Sequence, residues 1–257
     1  MNRHLKQILY GFFYFLIIFL IIYIGFYRPT LERVASCFDN TQNQNEEGID
    51  CGGPCIPCGE INLSPVNVSD NIQIFFVEPR ALSVVANISN KNSNYDASFY
   101  YEVNLFNERN ELIKSYPGDE YIYSSDSKYI IINDSIDRKP IRAEVVIDNN
   151  DVDWIENFTK EIPELELENI NISFSEDNRR IIASGEVINN SSYSNINADV
   201  YLFLKNRFGF NVFPVKSQVL GIQSLSKESF EVSVPAYNEL IESVDFERSE
   251  IIVSSDD

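Results

Sequence analysis

The sequence predicts an all-β chain in which two tandem β-sandwiches follow a single N-terminal membrane helix and a small disulfide-rich module. Three observations lead to this prediction: an uncharged apolar run near the N-terminus, four cysteines crowded behind it, and short alternating apolar runs over the remaining length. The 257 residues leave room for two domains besides these attachments. A hydrophobic content of 44 % is ordinary for a chain that folds around a core.

The charge balance and the histidine count exclude several classes of function. With 20 basic and 39 acidic residues, the formal net charge is -19, so nucleic acid is not expected as a partner. The only histidine, His4, precedes the apolar run. The rest of the chain therefore lacks the imidazole of Ser-His-Asp and Cys-His sites and of the usual zinc hydrolases. We expect no catalytic residues, no metal and no cofactor, and thus no enzyme.

The apolar run predicts a transmembrane helix over residues 8–27. It reads ILYGFFYFLIIFLIIYIGFY and contains no charge, amide or proline. A helix of this length spans about 30 Å, the thickness of the hydrocarbon core of a bilayer. The run is longer than the roughly 7–15 apolar residues of a signal peptide, so we expect an uncleaved signal anchor behind a short cytoplasmic arm, residues 1–7.

Charges around this span give a weak orientation. Arg3 and Lys6 precede it, whereas Arg28 and Arg33 lie behind it and are partly offset by Glu32. The positive-inside bias favours a cytoplasmic N-terminus, and the crowded cysteines favour export of the chain beyond the span. The predicted location is the cell membrane, with a single pass and extracytoplasmic C-terminal domains.

Residues 28–59 form a predicted stalk that contains a cysteine-rich module, residues 37–58. The four cysteines are separated by thirteen, three and two residues, and the segment has too few apolar side chains for a core. Two disulfides would hold it in an oxidising compartment, with the connectivity open. A four-thiolate zinc site and a redox Cys-x-x-Cys site are the alternatives. The predicted disulfide residues are Cys37, Cys51, Cys55 and Cys58.

The module resembles a small cysteine-rich motif that recurs in bacterial surface and secreted proteins. The shared pattern is C-x-D-x-x-x-N-x-x-E-x-G-x-D-C-G-G-x-C-x-x-C. In this chain it is carried by Cys37, Asp39, Asn43, Glu46, Gly48, Asp50, Cys51, Gly52, Gly53, Cys55 and Cys58. The resemblance implies a location outside the cytoplasm and assigns no catalytic role.

Beyond residue 59, short runs with period-two alternation predict strands about ten residues apart, as in all-β sandwiches. The chain also repeats itself: at an offset of 98 positions, Ile74-x-Phe76 falls on Ile172-x-Phe174, and Asn92–Tyr95 falls on Asn190–Tyr193. We therefore predict sandwiches over 60–162 and 163–257. The segment Asp151–Asn157 is expected to form a short helical turn, and its Trp154 to pack between the two domains.

Each half, and the second more clearly, is similar to the bacterial immunoglobulin-like sandwiches of the FxLYD and related families. The similarity rests on Gly185–Ser191, a strand that ends in a polar turn, and on the apolar strand Ala198–Phe203. It implies an immunoglobulin-like fold outside the membrane, and no catalytic residues belong to the pattern.

The functional hypothesis is a membrane-anchored extracytoplasmic protein with a structural or adhesive role. It would be held in the membrane by residues 8–27 and present strand edges and loops to a surface protein or polysaccharide. An anchored subunit of a cell-envelope assembly is the first alternative. A carboxylate-dependent glycan hydrolase is the second, because 39 acidic residues make close carboxylate pairs inevitable.

Overall fold

The structure, a computed structural model, describes residues 3–27, 36–158 and 162–256 of the chain. Its contacts divide the chain into two compact units, Met1–Leu63 and Ser64–Asp257. Residues 28–35 of the predicted stalk, and residues 159–161 next to the predicted domain junction, lie outside the described residues.

The N-terminal unit contains a long apolar helix. Helix α1 covers Arg3–Ile22, and a π-helical turn, Tyr23–Tyr27, continues it. It begins ahead of the predicted span, since Arg3–Gln7 contains no glycine or proline that would interrupt a helix. The stretch Lys6–Gly25 is long and apolar enough to cross a membrane, and none of it is buried inside the protein. Its length and composition fit a membrane anchor or a signal sequence.

The C-terminal unit is built almost entirely of strands. In chain order they are β1 (Asn67–Val68), β2 (Gln73–Val77), β3 (Ala81–Ser89), β4 (Tyr95–Phe106), β5 (Leu112–Ile122), β6 (Ser127–Ser135), β7 (Arg142–Ile147), β8 (Asp153–Glu156), β9 (Leu165–Phe174), β10 (Arg180–Asn189), β11 (Ile196–Asn206), β12 (Asn211–Ile222), β13 (Lys227–Pro235) and β14 (Val244–Asp256). The short helix α2 (Asn238–Ser243) lies between β13 and β14. The fold is thus mostly β, as predicted.

The described strands pair in antiparallel fashion and form four sheets. In the first half, β3 pairs with β6 along one edge and with β1 and β2 along the other. Strand β4 likewise pairs with β5 along one edge and with β7 and β8 along the other. In the second half the orders are β9-β10-β13 and β12-β11-β14, so the same strand order recurs.

Two hydrophobic cores make each pair of sheets a sandwich. The first joins the sheet of β3, through Leu82 and Val84, to the sheet of β4, through Phe99 and Val103. The second joins the sheets of β10 and β11 in the same way; its buried members include Ile181, Ala183, Val200, Leu202, Phe230 and Val232. Apolar faces of neighbouring sheets therefore bury each other, as in other sandwiches.

A third apolar cluster joins the two sandwiches to each other. It contains Val85 of β3, Ile131 of β6, and Tyr201 and Phe203 of β11, all of them buried. The side chains of β3 and β11 that point away from their own cores thus meet across the interface. Both faces of these strands are covered, which explains why nearly every residue in them is buried rather than every second one.

The internal repeat extends to individual hydrogen bonds. Asn90, at the end of the β3 ladder, donates its side-chain amide to the carbonyls of Tyr95 and Tyr123. Asn189, at the end of β10, donates to those of Tyr193 and Gln223. Equivalent residues of β2 and β9 are 98 positions apart in the sequence. Asn90 and Asn189 are one position further apart, because the turn between β9 and β10 is longer than the turn between β2 and β3.

The structure corrects two expectations about the segment around Trp154. Instead of a helical turn, Asp153–Glu156 forms strand β8, which pairs with β4. The Trp154 side chain packs against the core of the first sandwich, and not between the two sandwiches. Because most residues of this segment are polar or charged, its sequence did not indicate a strand. A short edge strand needs only one apolar residue that faces the core.

Candidate functional site

Two disulfides hold the cysteine-rich module. Cys37 is joined to Cys55, and Cys51 is joined to Cys58, so all four cysteines predicted as disulfide residues are paired. Glu46 lies close enough to Cys37 and Cys55 to complete a ligand group for a metal ion. The sulfurs of that group are bonded to each other, however, and a disulfide offers no thiolate to zinc.

The polar residues of the cysteine-rich motif bind backbone groups within the module. The Asp50 carboxylate accepts the backbone N–H groups of Asp39 and Asn40, each at 2.9 Å. Glu46 is 7 % exposed, and its carboxylate accepts the N–H of Asn43 at 2.9 Å. These carboxylates replace the missing hydrophobic core as organisers of the loop, since charge-assisted hydrogen bonds are stronger than neutral ones.

The adjacent Gly52 and Gly53 are required by the backbone of the same loop. Both have positive φ angles, of 75° and 60°. A Cβ atom on Gly53 would lie 2.5 Å from the carbonyl oxygen of Asn45, and one on Gly52 would collide with Glu47. Only glycine can take this conformation with so little space.

A cleft of about 500 Å³ opens between the two sandwiches. This volume lies within the range of small-molecule binding sites. One wall comes from the first sandwich and the other from the β11–β12 hairpin of the second. The lining consists of Ser69, Asn71, Gln73, Val85, Asn87, Tyr129, Phe203, Lys205, Gly209, Phe210, Asn211 and Glu250.

The cleft combines an aromatic floor with amide side chains. The ring of Tyr129 meets that of Phe203 edge to face, with centroids 5.1 Å apart. In the described part of the chain, the side-chain amides of Asn71, Gln73 and Asn211 have no hydrogen-bond partner. Each amide can therefore both donate to and accept from a ligand.

The two charged residues of the cleft neutralise each other. Lys205 Nζ lies 2.6 Å from Glu250 Oε1, and the two side chains are 19 % and 49 % exposed. The cleft is thus polar but carries no uncompensated charge among its lining residues. A neutral ligand fits this balance better than an ionic one.

A buried network of charged groups lies at the same interface. Lys128 of β6 is fully buried; its Nζ lies 2.6 Å from Glu120 Oε1, 3.1 Å from Asp256 Oδ1 and 3.6 Å from Asp199 Oδ2. A second ammonium group, on Lys216, lies 2.7 Å from Asp199 Oδ2. Glu120 belongs to the first sandwich and both aspartates to the second, so the network ties the halves together.

Burial and neighbouring charge shift the pKa values of this network in opposite directions. Burial raises the pKa of Glu120, and the nearby Lys128 opposes that rise only in part. For Lys128, burial would lower the pKa, but Glu120, Asp199 and Asp256 together raise it. For Asp256, burial would raise the pKa, but Lys128 and Lys216 hold it below its ordinary value. Opposite charges in the network thus favour the charged forms of Lys128 and Asp256, against the effect of burial.

The same carboxylates bear on the metal and hydrolase alternatives. Oxygen atoms of Glu120, Asp199 and Asp256 lie within 4.8 Å of one another, close enough to hold a cation. The Lys128 ammonium already lies among them and supplies that positive charge. Asp199 is also completely buried, so a glycan chain could not reach it.

Sequence reasoning found the disulfide residues but missed the cleft and the charged network. Both are assembled from strands that are far apart in the chain, so no local spacing marks them. One signal was present: Val200–Leu204 is continuously apolar, which is typical of a strand covered on both faces. That run could have placed β11 at an interface between sandwiches.

Comparisons with known proteins leave the family of this chain open. No family model and no curated protein matches it. The crystal structure of red sea bream transglutaminase aligns over 76 % of this chain and 29 % of its own length, with 10 % identity and a TM-score of 0.24. A tandem CBM22 domain of Paenibacillus barcinonensis Xyn10C aligns over 77 % and 87 %, with 7 % identity and a TM-score of 0.12. The chain spans under a third of the length of the transglutaminase.

Proposed function

We propose that this chain is a membrane-anchored, extracytoplasmic binding protein with a structural or adhesive role and no catalysis of its own. The observation that carries the proposal is the pairing, in one chain, of an unburied apolar helix with two disulfides. None of the described apolar stretch Lys6–Gly25 is buried, and lipid would provide the apolar surrounding that such a helix needs. Disulfides persist where the compartment is oxidising.

The side chains that line the cleft of the C-terminal unit support a binding function rather than a catalytic one. Its cleft holds amides and aromatic rings, whereas its converging carboxylates are buried against lysines. Two tandem immunoglobulin-like sandwiches would provide a rigid scaffold for such a binding surface. The protein would hold its ligand at the membrane through helix α1.

Cysteine accessibility on intact producing cells tests the location. We expect Glu108→Cys, on an exposed turn of the C-terminal unit, to react with a membrane-impermeant maleimide. The matched control His4→Cys, before the apolar run, should react only after lysis. The unsubstituted protein should react only after reduction. Labelling of Glu108→Cys only in lysed cells, or of the native cysteines without reductant, would contradict the proposal.

The same cells separate an anchor from a signal sequence. An anchored chain keeps its N-terminus, so an N-terminal tag should stay on the full-length membrane-bound protein. If the tag is lost and the remainder is released into the medium, α1 is a signal sequence and the anchoring part of the proposal fails.

A further inference from the structure

The two halves contain equivalent hairpins, and their tips differ in chemistry. Asn107, after β4, accepts the backbone N–H groups of Arg109 and Glu111 with its side-chain oxygen. Asn206, the last residue of β11, accepts those of Phe208 and Phe210 in the same way. The repeated asparagine therefore builds the same turn twice, which makes the first hairpin an internal reference for the second.

The second tip carries two exposed aromatic rings. Phe208 is 67 % exposed and Phe210 is 70 % exposed, whereas the corresponding residues of the first tip are Arg109 and Glu111. Because the polar tip forms the same turn, the fold does not require these rings. Binding residues are found disproportionately on loops that a rigid scaffold positions, as this tip is.

The aromatic tip borders the cleft between the sandwiches through Phe210, whereas Phe208 lines a separate pocket. Phe210 and Asn211 lie on one wall, Gln73 and Asn71 on the other, and Tyr129 is part of the floor. Aromatic faces thus stand beside amides that have no partner in the described part of the protein. The apolar face of a sugar ring packs on aromatic rings, while its hydroxyls both donate and accept hydrogen bonds.

The charge of the protein narrows the class of ligand. Lys205 and Glu250 pair with each other, so the cleft offers no net charge. The chain as a whole carries -19, which repels an anionic polymer approaching the cleft. A neutral, polyhydroxylated polymer needs no charged partner in the cleft, and the net charge of the protein does not repel it.

We propose that the cleft between the sandwiches, with Phe210 among its lining residues, binds a neutral polysaccharide. This inference rests on the proposed function and names the ligand class of its binding surface. Phe210 would pack against a sugar ring, and Gln73 and Asn211 would hydrogen-bond to hydroxyl groups from opposite walls.

Titration calorimetry on the full-length protein in nanodiscs tests this inference. The probes are hexasaccharides of the cello-, malto-, xylo- and chito- series, with polygalacturonate as an anionic comparison. We expect saturable binding of at least one neutral probe and none of polygalacturonate. Phe210→Ser and Gln73→Ala, one on each wall, should each weaken binding about tenfold.

The matched control is Tyr100→Ser, which removes an aromatic ring that is 77 % exposed on β4 and lies outside the cleft lining. It should leave binding unchanged. The inference is overturned if no neutral probe binds, if both wall variants bind like the parent, or if the tip instead binds lipid vesicles or a protein.

This outcome can be told apart from failure of the proposed function. If Glu108→Cys is labelled on intact cells but no glycan binds, the protein is an extracytoplasmic protein with another ligand. If Glu108→Cys is labelled only after lysis, the proposed location fails, while calorimetry still reports on the cleft.

Discussion

Lys128 brings three carboxylates together at the interface between the sandwiches. Its ammonium group contacts Glu120 of β5, Asp199 of β11 and Asp256 of β14, and it also donates to the carbonyl of Tyr121. Breaking a buried charge network by removing one partner costs more than removing the whole network, because the remaining charges stay buried without compensation. The role of Lys128 is therefore testable by a single substitution.

We expect Lys128→Met to lower the free energy of unfolding by about 3–5 kcal/mol, since three carboxylates would then face only Lys216. Urea unfolding followed by fluorescence of Trp154, the only tryptophan, measures the change. Lys114→Met is the matched control: that lysine pairs with Asp134 but is half-exposed, so it should cost less than about 1 kcal/mol. Equal effects of the two substitutions would show that the network is not stabilising.

A second prediction at this scale concerns alkaline pH. Burial raises the pKa of Tyr101 to about 12, and burial together with Asp199 raises the pKa of Tyr201; the pKa of Lys128 is raised by its carboxylate partners. A raised folded-state pKa contributes stability below the unfolded value and loses it as the pH rises toward the folded value. The unfolded values are near 10 for tyrosine and 10.4 for lysine.

Stability should therefore start to fall above about pH 10. Urea midpoints measured between neutral pH and pH 12 report the loss, and tyrosinate absorbance should grow in parallel with unfolding. Tyr100, which is highly exposed, supplies the contrast, because Tyr100→Phe should leave the urea midpoint at neutral pH unchanged. Constant midpoints up to pH 12 would contradict the prediction.

At the scale of the elements, the ends of β3 and β10 depend on one asparagine each. Asn90 and Asn189 are buried, donate to two carbonyls, and accept the N–H groups of Asn92 and Ser191. An alanine there leaves several backbone groups buried without a partner, and each such group costs about 1–3 kcal/mol.

We expect Asn90→Ala and Asn189→Ala each to lower the free energy of unfolding by about 2–3 kcal/mol, with similar values because the two sites share their geometry. Urea unfolding measures both. The control is Asn150→Ala, whose exposed side chain donates to Asp148, and we expect a change within about 0.5 kcal/mol. A large cost at one site alone would show that the two turns are not equivalent.

Elements were predictable where local chemistry determines them. The alternation in β9, from Leu165 to Phe174, and the crowded cysteines needed no knowledge of partners. Strand β5 was missed because Pro117 and Gly118 interrupt its pattern. It tolerates them because it is an edge strand, and Gly118 leaves room for the ring of Tyr101, from which a Cβ would be 2.5 Å away.

The site was less predictable than the strands. The sequence around Lys128 is that of an ordinary strand that begins with a charged residue. The acidic partners of Lys128 become apparent only when β5, β6, β11 and β14 come together. The cleft likewise needs β2, β3 and β6 of the first half beside β14 and the β11–β12 hairpin of the second. Tertiary contacts of this range leave no periodicity for sequence reasoning to use.

For the whole molecule, the shared apolar cluster and charged network imply one cooperative folding unit from Ser64 onward. We expect scanning calorimetry to show a single unfolding transition for both sandwiches. Tyr201→Ala should shift the whole transition downward at a cost of about 3–5 kcal/mol, because the ring is buried between the halves. Tyr193→Ala, at a partly exposed turn, is the control and should cost less. Two separate transitions, with only one shifted, would show that the sandwiches fold independently.

The position of Asp256 has a consequence for biosynthesis. Lys128 is made well before Asp199 and Asp256, so a ribosome that has completed β6 presents a lysine with Glu120 as its only acidic partner from this network. The apolar side chains of Val85 and Ile131 remain exposed to solvent for the same period, since β11 has not yet emerged from the ribosome. Maturation of the first sandwich thus has to await translation of the second, and a nascent chain stalled before β14 would be a substrate for chaperones or proteases.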